Sequence, residues 1–274
     1  MLRSMKDLEG CAIAASDGIV GKEKDFLFDD LAWVIRYFVV ETGTWLSSRK
    51  VLISPIAVQK PNWDEKIFPV LISKDQVKNS PGIDTNKPVS RQHEMDYLNY
   101  YGYPYYWIGT NFWGSGIYPY SLYPGNDIFE HSVEGARSAN LIHKSIKSQH
   151  DQKGDPNLRS CKAIIGYNIH AKDGDIGHVS GFLVEENTWA VRYLIVETSN
   201  WWGGHQALIP SAWIYEVQWL DNSISTDLVR KAIKDAPVYE PNKEITQDFE
   251  AAVFHHYELA AYWEKIAKTV NKQS

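Results

Sequence analysis

One unit is written twice along this chain. Residues 3–107 lie over residues 159–263 without a gap, at a constant offset of about 156 residues. Gly10, Asp17, Gly18, Gly21, Trp33, Arg36, Tyr37, Glu41 and Thr42 each recur, as Gly166, Asp173, Gly174, Gly177, Trp189, Arg192, Tyr193, Glu197 and Thr198. The match runs on through Trp63 and Trp219, Glu94 and Glu250, and the Tyr-Trp pairs 106–107 and 262–263. Roughly a quarter of the aligned positions are identical, which a fixed register does not give by chance. A duplication constrains the fold strongly, because every element has to work in both copies. The expected organisation is a first unit over 1–107, an aromatic and then polar linker over 108–158, and a second unit over 159–274. Each unit is expected to bury its own core.

The repeat also tells which local signals to trust. Asp17-Gly18 and Asp173-Gly174, each followed by a further glycine at 21 and 177, sit between short apolar segments. Asp-Gly in that setting predicts a hairpin, since glycine takes the positive φ of a tight turn. The longest strand candidates are 33–42 and 189–198. Trp33, Ile35, Tyr37, Val39 and Glu41 alternate with Val34, Arg36, Phe38 and Val40, so both faces of this strand are largely apolar and both are expected to be covered. Short strands follow at 51–53 and 207–209. Charged residues at helical spacing over 73–79 and 227–235 predict short helices before Pro81 and Pro237, and Ser or Thr followed by acids predicts capped helical tails over 90–101 and 246–257. The fold class is therefore mainly β with short helices.

Between the units, 101–127 is rich in Tyr, Gly and Pro. So many rings must find a surface to cover, and the segment is expected to lie against a domain. Residues 131–157 are polar and charged and read as the joint.

Composition excludes several functions. With 44% hydrophobic and 23% charged residues the chain reads as a soluble globular protein, and a net charge of -6 with no Lys/Arg cluster argues against nucleic acid. No apolar run approaches the length of a membrane span, so no membrane insertion is expected, and charged residues among the first ten argue against a secretory signal, so the cytoplasm is the expected location. Cys11 and Cys161 do not correspond in the alignment, lying opposite Tyr167 and Met5. They read as core filler rather than as a pair or as metal ligands. His170, His178, His205, His255 and His256 are not duplicated either, and adjacent histidines on a helix diverge by about 100°, so no metal and no cofactor is expected. Arg36 and Glu41, with Arg192 and Glu197, recur together. Five residues apart on a strand they face opposite ways, so each is expected to meet a cross-strand or turn partner rather than form a catalytic pair.

The glycine-led strand, the Asp-Gly hairpin and the Trp-x-x-Arg-Tyr-x-x-Val-Glu-Thr strand with its Leu-Ile sequel resemble the PRC-barrel family. The resemblance is carried by Asp17 to Gly21, 33–42 and 51–55, and again by Asp173 to Gly177, 189–198 and 207–210. It implies two tandem PRC-type small β-barrels with helical tails, of the kind known from the cytoplasmic part of the photosynthetic reaction centre H subunit and from the ribosome maturation factor RimM. In those settings the barrel is a docking module without a catalytic centre. Neither the membrane helix of the one nor the separate N-terminal domain of the other is expected within these 274 residues, so neither specific role is expected to carry over.

The expected function is then non-catalytic binding or scaffolding, with protein partners and self-association into a homo-oligomer through sheet edges and turn aromatics. The candidate partner-binding residues are Trp45, Trp201 and Trp202, placed in turns where large rings anchor interfaces, and Trp107 and Trp263 at the unit ends, where they could close one copy on the other. The competing reading is a small-molecule sensor or enzyme with its site in the cleft between the barrels, lined by the Tyr-rich segment.

Overall fold

A computed structural model describes residues 1–82, 89–124, 157–198 and 205–259. Trp201, Trp202, Trp263 and nearly all of the polar joint lie outside the described residues. The described chain is mainly β, with short helices. Its strands are β1 (Leu2–Ser4), β2 (Ala12–Ala15), β3 (Gly18–Asp29), β4 (Val34–Thr42), β5 (Lys50–Ile53), β6 (Ile67–Pro69), β7 (Leu158–Ser160), β8 (Asn168–Ala171), β9 (Gly174–Glu185), β10 (Val191–Thr198), β11 (Gln206–Pro210), β12 (Ile214–Gln218) and β13 (Ser223–Thr226). Its helices are α1 (Met5–Leu8), α2 (Lys74–Asn79), α3 (Arg91–Tyr101), α4 (Cys161–Ile164), α5 (Arg230–Lys234) and α6 (Gln247–His256). Among the described residues no helix is long and apolar enough to cross a membrane.

Two sheets carry the two repeats, one ordered β5-β4-β3-β2-β6 and the other β11-β10-β9-β8-β13-β12. The hairpins form where Asp-Gly predicts them: Gly18 and Gly174 have φ of +129° and +127°, a region open to glycine and closed to most other residues. Gly21 and Gly177 are fixed by a different constraint. A Cβ built on either would lie 2.1 Å or 2.0 Å from the carbonyl oxygen of Glu41 or Glu197, so only glycine lets β3 and β9 approach their neighbours this closely. Asp17 and Asp173 do more than turn the chain. Each carboxylate accepts from the first backbone N–H of a distant helix, Asp17 from Lys74 at 2.8 Å and Asp173 from Arg230 at 2.7 Å, and so pins α2 or α5 to its hairpin.

The central strands β4 and β10 are buried on both faces along most of their length, as their two-sided apolar pattern requires. They start one residue later than the pattern suggests in the first copy, because Trp33 has φ of +53°, and Trp189 likewise has φ of +60°. Both tryptophans belong to the hairpin turn, each donating its backbone N–H to the residue four back, Asp29 or Glu185, at 2.7 and 2.8 Å. The helical tails are capped as expected: Ser90 accepts from His93 N and Thr246 from Phe249 N, both at 3.2 Å.

Each repeat's sheet takes one strand from the other repeat. β7, which opens the second repeat, pairs with β3 of the first, in the register Leu27 with Ser160, Phe28 with Arg159 and Asp29 with Leu158. Reciprocally, β1 of the first repeat pairs with β9 of the second. Both exchanged strands read Leu-Arg-Ser. The physical reason is a mismatch of strand lengths. β3 runs for twelve residues, β4 covers one edge from Gly21 to Asp29, and the four-residue β2 covers only Gly18 to Lys22 of the other edge. The uncovered backbone at 27–29 needs partners, and β7 supplies them.

The contacts accordingly gather into two units that are not contiguous in sequence. One holds Lys6–Ala163 with Glu185–Ala190, the other Met1–Met5, Ile164–Val184 and Val191–Ser274. The aromatic part of the expected linker belongs to the first of these units, and so do residues 157–163. In that unit the hairpin tip from the second repeat is inserted as well: Trp189 packs on Phe38 and Phe68, with ring centroids 4.8 and 6.0 Å away, and its carbonyl accepts from Ile35 N at 2.9 Å.

Gly21→Ala is expected to unfold the protein or lower its thermal midpoint far more than Gly82→Ala, whose added methyl meets nothing within 4 Å. A calorimetric comparison of the two variants checks this. Equal midpoints would refute the close-approach account.

Candidate functional site

A buried carboxylate organises the tail of each unit. Glu94, on α3, is fully buried, and its Oε1 accepts from the hydroxyls of Tyr37 at 3.1 Å and Tyr106 at 2.6 Å, while the Arg91 guanidinium lies 3.1 Å from Oε2. The second copy repeats the core of this arrangement, with the Tyr193 hydroxyl donating to Glu250 Oε1 at 3.1 Å. Burial first, and the neighbouring carboxylate second, hold the phenols of Tyr37 and Tyr106 well above their usual range, so they act as donors and not as bases. A charge buried in this way is tolerable because several donors meet it. Tyr37 and Glu94 are 57 residues apart, as are Tyr193 and Glu250. That equal spacing of two duplicated polar residues was the available signal for the pair.

Arg36 is the second node. Only 3% exposed, it lies with its guanidinium carbon 3.9 Å from the Tyr106 ring centroid and 5.0 Å from that of Trp113. It also donates to Asp29 Oδ2 at 3.2 Å and to the Phe112 carbonyl. Glu41, by contrast, is partly exposed and pairs with Lys24 on β3 at 3.1 Å. The two residues therefore serve separate neighbours, as their opposite facing requires. Trp113 is buried and donates from Nε1 to the Thr188 carbonyl at 2.8 Å. The Tyr-rich segment thus lies against a domain, where it forms cation-π and hydrogen-bonded packing around Arg36.

The tryptophan candidates that can be placed are engaged within their own unit. Trp45, in a 3-10 turn after β4, donates from Nε1 to the Val20 carbonyl at 2.7 Å, and the Lys74 ammonium sits 4.5 Å from its ring centroid. Trp107 stacks on Tyr105 at 4.9 Å with the Arg91 guanidinium 3.9 Å from its centroid. Both are half-buried, and nothing brings them together. Among the described residues no three His, Cys, Asp or Glu side chains gather as a metal site. His170 meets Asp175 at 2.5 Å on the exposed side of β8 and β9, and His256 meets the Ala232 carbonyl at 2.6 Å. Cys11 and Cys161 are buried and unpaired, and burial pushes both thiols up.

Sequence reading missed the most exposed apolar feature. β12 and β13 form a hairpin with Val217 opposite Ile224 and Gln218 opposite Ser223, and the strand path of that sheet ends at β12. Tyr215 on β12 is 63% exposed, and Leu220 in the turn is 98% exposed. The first repeat makes the equivalent pairing only as isolated bridges, Val58 with Val70 and Asn62 with Ile67. Unequal copies at this point were legible only as a difference between the repeats.

Glu23 is a buried carboxylate outside these sets. It lies on β3, accepts from Gly10 N at 2.9 Å through Oε2, and leaves Oε1 buried without a hydrogen-bond partner among the described residues. Burial raises its pKa to about 7, with Asp25 and Glu9 adding to the rise and Gly10 N–H and Lys162 opposing it. A carboxyl raised in the folded state contributes stability that is complete below its ordinary pKa near 4.5 and is lost as pH climbs through about 7. The wild type is therefore expected to lose up to about 3 kcal/mol from this group between about pH 5 and 8. Glu23→Gln should flatten that decline in midpoints measured across the range, and an unchanged slope would show that another group is responsible.

Compared with known families and curated proteins, the chain matches no family model and no curated protein.

Proposed function

We propose that this chain is a non-catalytic binding or scaffold protein that recognises other proteins in the cytoplasm, built on two PRC-type barrels. The observation that carries the reading is the β12–β13 hairpin, a short sheet edge that holds an exposed tyrosine and a fully presented leucine. Edges of this kind add a strand from a partner, while an aromatic side chain on the same strand supplies the anchor. The duplicated polar groups support the reading from the other side. Tyr37 with Glu94 and Tyr193 with Glu250 are buried and bonded to one another, which suits a scaffold whose polar core fixes its shape.

Support for the barrel comes from the segments that follow the outer strands. Gln59 N donates to the Pro69 carbonyl and Leu71 N to the Ala57 carbonyl, both at 2.9 Å, and Val58 bridges Val70. The chain just beyond β5 thus meets the chain just beyond β6, at the two ends of the strand order. The net charge of -6 supports protein rather than nucleic acid as the partner.

Tyr215→Lys combined with Leu220→Glu removes the apolar hairpin surface and places charge on the edge, the means by which natural edge strands avoid pairing. Immobilised wild-type protein is expected to retain specific proteins from host extract that the double variant loses at least tenfold, with both baits melting at the same temperature. Identical retained sets would overturn the hairpin as the recognition surface.

A further inference from the structure

Glu23 stands where the other copy shows that the fold asks for no acid: the matching position is Val179. The two residues donate their backbone N–H alike, Glu23 to the Cys11 carbonyl and Val179 to the Tyr167 carbonyl, both at 2.9 Å. The copies part at the turn just before these acceptors. Gly166 N donates to the backbone carbonyl of Val179 at 2.8 Å, whereas Gly10 N donates to the side chain of Glu23 at 2.9 Å. In the first copy a side chain thus fills a backbone's role, and it brings an ionisable group to a position only 1% exposed.

The groups around this carboxyl come from the turn before β2, from β3 and from α4. Burial opposes its charge most, Asp25 and Glu9 oppose it further, and Gly10 N–H and Lys162 favour it. The thiols of Cys11 and Cys161 feel Glu23 in turn, beside Lys66 and Asp7 at the first and Asp25 at the second. The neighbouring acid seats β7 and α4. Asp25 accepts from the Ser160 hydroxyl at 2.5 Å and from Lys162 N at 3.2 Å, and Ser160 Oγ accepts from Ala163 N at 3.0 Å. An ionised Glu23 has to be hydrated, which requires part of its cover to move. β2 is held between β3 and β6, while β7 pairs with β3 alone among the described residues. The three-residue strand β7 and the short helix α4 are therefore the part that yields.

We propose that Glu23 is a proton latch on the docking of β7 and α4: protonated, it leaves them seated on β3, and ionised, it releases them and bares the β3 edge from Leu27 to Asp29. Once the segment is released, water reaches the carboxyl and its pKa falls from about 7 back toward the ordinary 4.5. The open form thus binds fewer protons than the closed one. Its population grows as pH rises above the ordinary value and levels off above about 7, where the closed form ionises as well.

Hydrogen exchange on the full chain tests this, read by mass spectrometry on peptides covering 157–164 and 34–42. Glu23→Gln serves as the reference at each pH, so that the intrinsic pH dependence of exchange cancels. Glu23→Val, which copies the residue at 179, takes its place should the glutamine variant fold poorly by circular dichroism. The ratio of wild-type to reference rates over 157–164 is expected to rise at least about tenfold between about pH 5 and 7, and by less than about threefold from there to pH 8. Release of so short a segment exposes little surface. Exchange over 157–164 should therefore be faster than over β4 and indifferent to urea up to about 1 M, while β4, which exchanges by global unfolding, accelerates. A ratio that stays flat across pH overturns the proposal. So does exchange over 157–164 that matches β4 in rate and in urea dependence, since the proton would then act on global stability alone.

Discussion

A twelve-residue strand beside a four-residue one leaves backbone groups with nothing to bond, and the rest of this structure answers that deficit. β3 and β9 each outrun their first hairpin partner. An unpaired buried N–H or C=O costs as much as a lost hydrogen bond, so the bare edge must be covered. The chain covers it with three residues from the other copy. The repeats are therefore two copies of a sequence but not two self-sufficient sheets, and the contact units cut across the repeat boundary at both exchanged strands.

Within that frame the polar interior is arranged to fix positions. Arg36 is buried where its charge is met by Asp29, a backbone carbonyl and two aromatic faces, and Glu94 where two phenols and a guanidinium surround it. Breaking such a set by removing one member leaves a buried charge, which is far costlier than the pair is favourable. The aromatic segment between the repeats is tied into this set through Tyr106, Phe112 and Trp113, so its rings act as packing in the unit that holds them.

Much of this was legible in residue order. Asp17-Gly18 and Asp173-Gly174 predicted hairpins because positive φ at glycine is a local property, and Ser90 and Thr246 predicted helix starts because capping acts over three residues. The opposite facing of Arg36 and Glu41 followed from the strand period. The carriers of the interior set were also visible, as matched positions, but not their pairing. Trp45 illustrates the limit: its place in a turn was predictable, whereas the Val20 carbonyl that takes its indole proton is 25 residues away.

The two Asp-Gly hairpins, the central strands, the helix caps and the mainly β class were thus settled by the sequence alone, since each depends on spacing within a few residues. The tertiary structure decided which edge each Leu-Arg-Ser strand completes, which carboxylate meets which phenol, and where the units divide. Those outcomes depend on groups distant in the chain, and the two acceptor edges present the same backbone chemistry to the same triplet. Local preference cannot choose between them, and only the packing of the whole chain does.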